Sequence, residues 1–400
     1  YRYKLKEGKV SAKLSTNALT VLKQYYLIKD SYGKIIETPE ELFRRVAKDI
    51  AKADLRYARQ KKAVKETEEK FYNLLSSLDF LPNSPTLMNA GTEIQQLAAC
   101  FVLPIEDSLD SIFQTLHKTA IIHKSGGGTG FDFSKLRSKD DLILETAGKS
   151  SGPVSFIQVY DSATEQIKQG GKRRGANMAI LRVDHPDIID FINAKNKFPL
   201  NNFNLSVAIT DEFMQALKQK KQFYFKNPLT NKKIKTNANL IFGELCKNAW
   251  ACGDPGVLFI DIINKRHVFR EEISATNPCG EAPLLAYESC VLGSINLANH
   301  FKDKDVNWKK LAETVHLAVH FLDNIIERCN YQFPQIKKIT RKNRKIGLGV
   351  MGFADLLFQL RIPYDSEAGI KTAEEVMKFI NNEAHNASQQ LAIIRGPFPN

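Results

Sequence analysis

The sequence predicts an α/β fold, a mainly parallel sheet wrapped by helices, preceded by a small helical domain. Two observations predict it. Residues 1–80 carry helical stripes without strand texture, and from residue 81 onward short β-rich runs alternate with helical stretches. Periodicity leaves a closed barrel and an open sheet equally possible.

The elements follow in chain order. Thr38-Pro39-Glu40-Glu41 is a helix start: Thr38 as N-cap, Pro39 in the first turn, Glu41 closing a capping box. Leu42, Phe43, Val46, Ala47 and Ile50 then recur at helical spacing. A second stripe, Phe71, Leu74, Leu75 and Leu78, ends near Pro82. The expected division is therefore 1–80, helical, and 81–400, α/β. Leu97–Leu103 reads as a buried strand. Ser108 can cap a helix carrying Ile112, Phe113, Leu116 and Ala120 that stops at Gly126-Gly127-Gly128. Pro153 opens another, with Val154, Ile157, Tyr160, Ala163 and Ile167 inward, ended by Gly170-Gly171. Candidate strands are Ala179–Val183, Leu205–Ile209, Phe223–Phe225 and Val257–Asp261. No internal repeat or low-complexity tract interrupts them.

Bulk properties narrow the function classes. The 400 residues are 43% hydrophobic and 25% charged, with no apolar run long enough to cross a bilayer and no secretory leader, so a cytoplasmic chain without a membrane partner is expected. The start at Tyr1, without Met, is the mark expected of a processed, trimmed or partial polypeptide. A net charge of +13 favours anionic partners. Its short lysine runs, such as Lys218–Lys221, read as solvated surface, and no run is interleaved with aromatics as in a nucleic-acid groove. Nucleic acid is not an expected partner.

Cys100, Cys246, Cys252, Cys279, Cys290 and Cys329 are too few and too scattered for a disulfide scaffold. Without a Cys-x-x-Cys pair, no zinc site is expected. His316 and His320 lie four apart but lack the nearby Glu of a metalloprotease helix, and read as ordinary helix-face residues. Asn277-Pro278-Cys279-Gly280-Glu281 is different. Pro and Gly spoil helix and central strand alike, so this is a loop, expected to project Cys279 and Glu281 into a cavity. Most cysteines are small buried hydrophobes; one in this polar company is a candidate for chemistry. By pattern alone Cys100 and Cys290 are core residues.

Taken together, the motifs resemble one family. Asn83–Gly91, Glu106–Ile112, Ser125–Gly130, Asn277–Glu281, the Leu-Gly-Ser-Ile-Asn-Leu run after Cys290, and Ile346–Gly352 stand in the order of a ribonucleotide reductase large chain, from about Leu14 to the end. The resemblance implies a ten-stranded α/β barrel, with 81–400 its N-terminal portion and the barrel incomplete at Asn400. It implies reduction of a ribonucleoside di- or triphosphate to the 2′-deoxy form by a thiyl radical, for DNA synthesis. Cys279 would exchange a hydrogen atom with the ribose, Glu281 accept the 3′-hydroxyl proton, and Asn277 hold a substrate hydroxyl. Cys100 and Cys290 would deliver two electrons and end as a disulfide that a thioredoxin-like partner reduces. Ser84, Ala99 and Gly128, with Pro278 and Gly280, match positions of the ribonucleotide pocket.

Asp107 resembles the acidic residue of the family's effector site, where a dNTP or ATP binds; a helix cap is its plainer role. Ala147-Gly148-Lys149-Ser150 hints at a phosphate-binding P-loop, but Ile143 occupies its first Gly position, and the P-loop is rejected. Lys149 instead falls in the first effector loop, and Lys172 and Arg173 in the second, within Gln169–Ala176. Ser125–Arg137 and Arg341–Leu357 look most like the adenosylcobalamin-dependent class, although no residue is recognisable as a cobalt ligand. A homodimer built on the effector-site helices is implied. Because family members continue beyond the equivalent of Asn400, the isolated chain is expected to be inactive. Two rival readings, a nucleotide-binding regulatory relic and a basic DNA-binding protein, leave the set of Cys100, Cys279, Cys290 and Glu281 without a purpose.

Overall fold

The computed structural model describes residues 14–57, 61–143, 147–169 and 173–400. It comprises two compact units: one runs to Ala99 and resumes as Cys290–Asn400, the other is Cys100–Ser289.

After a short helical segment, Thr16–Val21 and Leu22–Tyr26, the first unit's first long helix is α1 (Pro39–Ala51). Its capping box is formed as expected: Glu41 N–H donates to Thr38 Oγ1 at 3.2 Å and Thr38 N–H to the Glu41 carboxylate at 2.8 Å. Caps of this kind are worth about 1 kcal/mol. Leu42, Phe43, Val46, Ala47 and Ile50 are all buried. Helix α2 (Lys61–Ser76) turns Phe71, Leu74 and Leu75 inward. Strand β1 (Phe80–Pro82) and helix α3 (Ser84–Asn89), capped by Asn83, follow.

The second unit carries the parallel sheet. Its strands are β2 (Cys100–Val102), β3 (Gly128–Asp132), β4 (Asn177–Arg182) and β5 (Phe203–Ile209). The run Phe223–Phe225 forms a strand as expected, but outside the parallel sheet. It lies in strand β6 (Phe223–Lys226), which pairs only with β7 (Lys233–Thr236) as an antiparallel hairpin, because the intervening turn is too short for a crossover. Strand β8 (Gly256–Phe259) completes the order β2-β3-β4-β5-β8, every neighbour parallel. Helices α4 (Leu109–Lys124) and α5 (Pro153–Gln166) cover one face, with Ser108 capping α4. Phe131 meets Tyr160 edge-on at 5.2 Å, and the Tyr160 hydroxyl donates to the Ile112 carbonyl at 2.5 Å. Burial pushes that phenol well above its ordinary pKa, so it stays a neutral donor.

The inner stripe of α4 is partly polar: Thr115, Thr119 and His123 are buried, whereas Phe113 is 49% exposed. The reason is a hydrogen-bond chain. His123 Nε2 lies 3.0 Å from Thr129 Oγ1, Thr129 donates to Asn177 at 2.6 Å, and Asn177 Nδ2 donates to Thr164 at 2.9 Å. Satisfied networks of this kind fix one packing register. Past β8 a short ribbon forms from β9 (Ala275–Thr276) and β10 (Pro283–Leu284), antiparallel, with Thr276 opposite Pro283.

The chain re-enters the first unit through β11 (Ser289–Asn296), then helix α6 (Trp308–Arg328), strand β12 (Ile346–Met351) and helix α7 (Glu367–Arg395). Strand β11 runs antiparallel to β1 and parallel to β12. Phe321 of α6 sits edge-on to Phe71 at 4.9 Å and to Phe80 at 5.6 Å. Among the described residues, no helix is long and apolar enough to cross a membrane.

A buried ionic cluster ties this unit together. Asp54 accepts from His320 Nε2 at 3.0 Å, Asn324 Nδ2 at 2.9 Å and Arg395 at 2.7 Å, and Arg395 also pairs with Asp323. His316, one turn earlier on α6, pairs with Glu383 of α7 at 2.8 Å. Burial raises the pKa of Asp54, but the hydrogen bonds from His320 and Asn324 and the charges of His320 and Arg395 prevail, and the net shift is downward. A depressed carboxylate contributes stability that is present above its unfolded pKa of 3.8 and is lost as pH falls through the folded value. Asp54→Ala is expected to cost about 3 kcal/mol in urea unfolding at neutral pH. The deficit should shrink below about pH 4; a deficit that grows on acidification would contradict this account.

Candidate active site

The cysteine loop is the tip of the β9–β10 ribbon, and Asn277 organises it. Asn277 N–H donates to the Ala282 carbonyl at 3.3 Å, Gly280 N–H donates to the Asn277 carbonyl at 3.1 Å, and Ala282 N–H donates to Asn277 Oδ1 at 3.0 Å. Gly280, at φ +83°, takes the left-handed conformation that closes the turn. The Asn277 side chain is fully buried, and its Nδ2 donates to Cys100 Sγ at 3.2 Å. One carboxamide therefore shapes the loop and contacts a second predicted thiol. Because the Ala282 N–H must meet an oxygen, the amide orientation is fixed by the network.

Close approach of this loop to the sheet depends on glycine. A Cβ at Gly130 would lie 1.7 Å from the Thr276 carbonyl oxygen, and one at Gly128 would lie 2.7 Å from Cγ of Pro278. Gly128 is also the register partner of Cys100. Cys100, Gly128, Met178 and Asn204 each stand first or second in their strands, so the loop lies along the amino-terminal edge of the second unit's sheet. Asn204 Nδ2 donates to the Pro278 carbonyl at 2.7 Å.

Other predicted residues fall as follows. Cys279 and Glu281 are exposed, while Asn277 and Ala282 occupy the buried positions of the loop. Cys100 is 6% exposed, in β2. In the first unit, Cys290 is buried in β11 with Gly347 of β12 beside it: a Cβ there would lie 3.5 Å from the sulfur. Ala99, also buried, donates its N–H to the Cys290 carbonyl at 3.2 Å. Ser84 is the first residue of α3, with its Oγ 2.9 Å from the Tyr26 hydroxyl. All six cysteines are thiols.

Asp107 does not cap α4, a task Ser108 performs; its carboxylate instead accepts from Arg137 N–H at 3.1 Å and Arg137 Nε at 2.8 Å. Lys149 lies in a small ribbon, exposed, 3.6 Å from Asp140. Lys172 lies outside the described residues, and Arg173 is described only as backbone in a two-residue strand. Asn204, Gly130 and Arg137 were not singled out by sequence; Gly130 stood inside a quoted glycine motif, whereas nothing local marks Asn204.

Two cavities lie elsewhere. One of about 360 Å³ in the first unit is lined by Asp54, His316, His320 and Arg395 among others. One of about 440 Å³ lies at the carboxyl-terminal strand ends of the second unit, lined by Asp132, Arg182, Asp261 and Asn264 among others. Burial pushes the Asp132 carboxyl up, against hydrogen bonds from Ser134 and Ser274.

Against known proteins, residues 98–400 match the family described as "Ribonucleotide reductase, barrel domain". The chain belongs to the ribonucleotide reductase family. Residues 12–95 match "Ribonucleotide reductase, all-alpha domain". The "Vitamin B12-dependent ribonucleoside-diphosphate reductase" of Thermoplasma acidophilum is 47% identical, the match covering 97% of this chain and 58% of that protein. The protein of the same name from Mycobacterium tuberculosis is 49% identical, covering 97% and 56%. The "Ribonucleoside-diphosphate reductase subunit alpha" of Chlamydia pneumoniae is 30% identical, covering 92% and 38%. The chain thus spans little more than half the length of its most similar relatives among these.

Gly130→Ala forces a methyl group into the Thr276 backbone. It is expected to cost about 1–3 kcal/mol in thermal or urea unfolding and to change the rate at which Cys279 reacts with iodoacetamide. Parental stability together with a parental rate would show that the contact between β3 and β9 does not hold the loop.

Proposed function

We propose that this chain supplies the thiol site of ribonucleotide reduction, converting a ribonucleoside di- or triphosphate to its 2′-deoxy form. The observation that carries the reading is the bond from Asn277 to Cys100, which joins one thiol to the loop that bears another. Cys279, as a thiyl radical, takes the 3′-hydrogen atom, for which S–H and ribose C–H bonds are closely matched. Glu281 accepts the 3′-hydroxyl proton, and a thiol of the Cys100 and Cys290 pair protonates the 2′-hydroxyl, which leaves as water. The pair supplies two electrons and becomes a disulfide, and Cys279 returns its hydrogen atom to C3′. The balance is ribonucleotide plus two thiols giving deoxyribonucleotide, disulfide and water. A thioredoxin-like dithiol resets the pair. Asn277 has a second amide hydrogen for a substrate hydroxyl, and Ser84, Ala99, Gly128, Pro278 and Gly280 border the nucleotide.

Adenosylcobalamin, when bound, supplies the radical equivalent that turns the Cys279 thiol into a thiyl. The relatives' names support this choice. A corrin holds cobalt by its own ring nitrogens, so it asks for open access to one sulfur rather than a cluster of protein ligands, and the exposed Cys279 suits it. Among the described residues, no group of three or more His, Cys, Asp and Glu could hold a bare metal ion. For regulation, Asp107, Lys149, Lys172 and Arg173 contact a dNTP or ATP effector. Leu109 and Phe113 of α4 and Val159 of α5, all exposed, support a homodimer through these helices.

In the holoenzyme, Cys279→Ser, Cys100→Ser and Cys290→Ser should each lower conversion of labelled ribonucleotide by more than about a thousandfold. Glu281→Gln should lower it by about a hundredfold or more. Undiminished turnover by Cys279→Ser would end this proposal.

A further inference from the structure

The backbone just before Cys279 has unusually few ways to move. The proline ring of Pro278 fixes its own φ, and that ring rests on the bare face of Gly128, where a Cβ would strike it at 2.7 Å. The remaining soft angle is ψ of Pro278, which swings a planar unit containing both the Pro278 carbonyl and the Cys279 N–H. Asn204 Nδ2 donates to that carbonyl at 2.7 Å. Holding the oxygen holds the plane, and with it the direction in which the chain enters Cys279. Asn204 is well placed as an anchor. It stands second in β5, in register with Met178 of β4, whose Cε lies 3.9 Å from a Cβ built at Gly280. The sheet is thus a rigid base for both sides of the turn.

We infer that Asn204 is a positioning residue for Cys279, which sets the sulfur's place by clamping the Pro278–Cys279 peptide. This rests on the reading of Cys279 as the hydrogen-atom carrier. Asn277 and its bonds within residues 277–282 give the turn its shape but do not engage the Pro278 carbonyl, which they leave untied to the sheet. Asn204 supplies that tie. Its side chain is exposed, so its removal lets water satisfy the carbonyl and leaves the core untouched. What is lost is geometry rather than stability, and hydrogen-atom transfer is sensitive to misplacement of about 1 Å.

The test uses Asn204→Ala, Asn204→Asp and Asn204→Gln in the holoenzyme. Asp keeps the shape and removes the N–H donor; Gln keeps the donor on a longer arm. Two quantities are read: the rate of Cys279 alkylation by iodoacetamide, located by mass spectrometry, and kcat and KM for ribonucleotide. Expected for Ala and Asp are an alkylation rate changed by at least about threefold and kcat lowered by about a hundredfold, with KM within about threefold. Gln should recover part of both, and thermal unfolding should match the parent for all three. Parental alkylation rates, a parental kcat, or a loss confined to KM would each overturn the inference. If Cys279→Ser in the same enzyme retains turnover, the hydrogen-carrier reading fails separately, and the alkylation rates still judge whether Asn204 positions the loop.

Discussion

Everything around the cysteine loop depends on a steric permission: strand β3 must present no side chain where the loop crosses it. A carbonyl oxygen 1.7 Å from a hypothetical Cβ at Gly130 leaves no room for adjustment by rotamer change, since backbone meets backbone. Gly128 adds a softer version of the same demand beneath the Pro278 ring. Given that bare strip, the ribbon can lie directly on the sheet, Asn277 can reach Cys100, and Asn204 can reach the Pro278 carbonyl. Without it, none of those hydrogen bonds is within range. The usual cost of glycine in a strand, about 0.5–1 kcal/mol against alanine, is accepted here for contact.

Two sets of buried polar groups in this protein work as chains rather than singly. The Thr129, Asn177 and Thr164 chain runs through the interior between α4, α5 and the sheet, and it explains why threonines and a histidine, not leucines, fill that stripe. The Asp54 cluster does the same between α6 and α7 with full charges. In both places a lone polar group would be costly to bury, and a hydrogen-bonded set favours one arrangement of helices.

Signals carried by near neighbours in the chain were legible in the sequence. The capping box at Thr38 and Glu41, the N-cap at Ser108, and four of the five strands of the parallel sheet are readable because caps and hydrophobic runs act within a few residues. The resemblance supplied the barrel family, and the matches over 98–400 and 12–95 agree with it. Long-range features were not legible. Asn204 is an unremarkable polar residue on an alternating strand, and only its encounter with a carbonyl 74 positions away gives it a task. Which loop residues take the inner, buried places is likewise not encoded locally by a pentapeptide with one proline and one glycine. The hairpin at Phe223 has the composition of a sheet strand but the spacing of a turn. Asp107 found a guanidinium thirty residues on instead of the helix end beside it.

Placement of the loop at the amino-terminal ends of the strands has a further consequence. In parallel sheets it is commonly the opposite rim, where the carbonyl ends converge, that holds ligands. Here that rim has its own hollow around Asp132 and Arg182, and its lining includes Glu272, Ile273 and Ser274, which lead directly into β9. The hollow and the cysteine loop share one stretch of chain, and sites with common neighbours respond to change together. Redesign of the far rim must therefore spare residues 272–274, through which a graft there would pull on the sulfur-bearing turn.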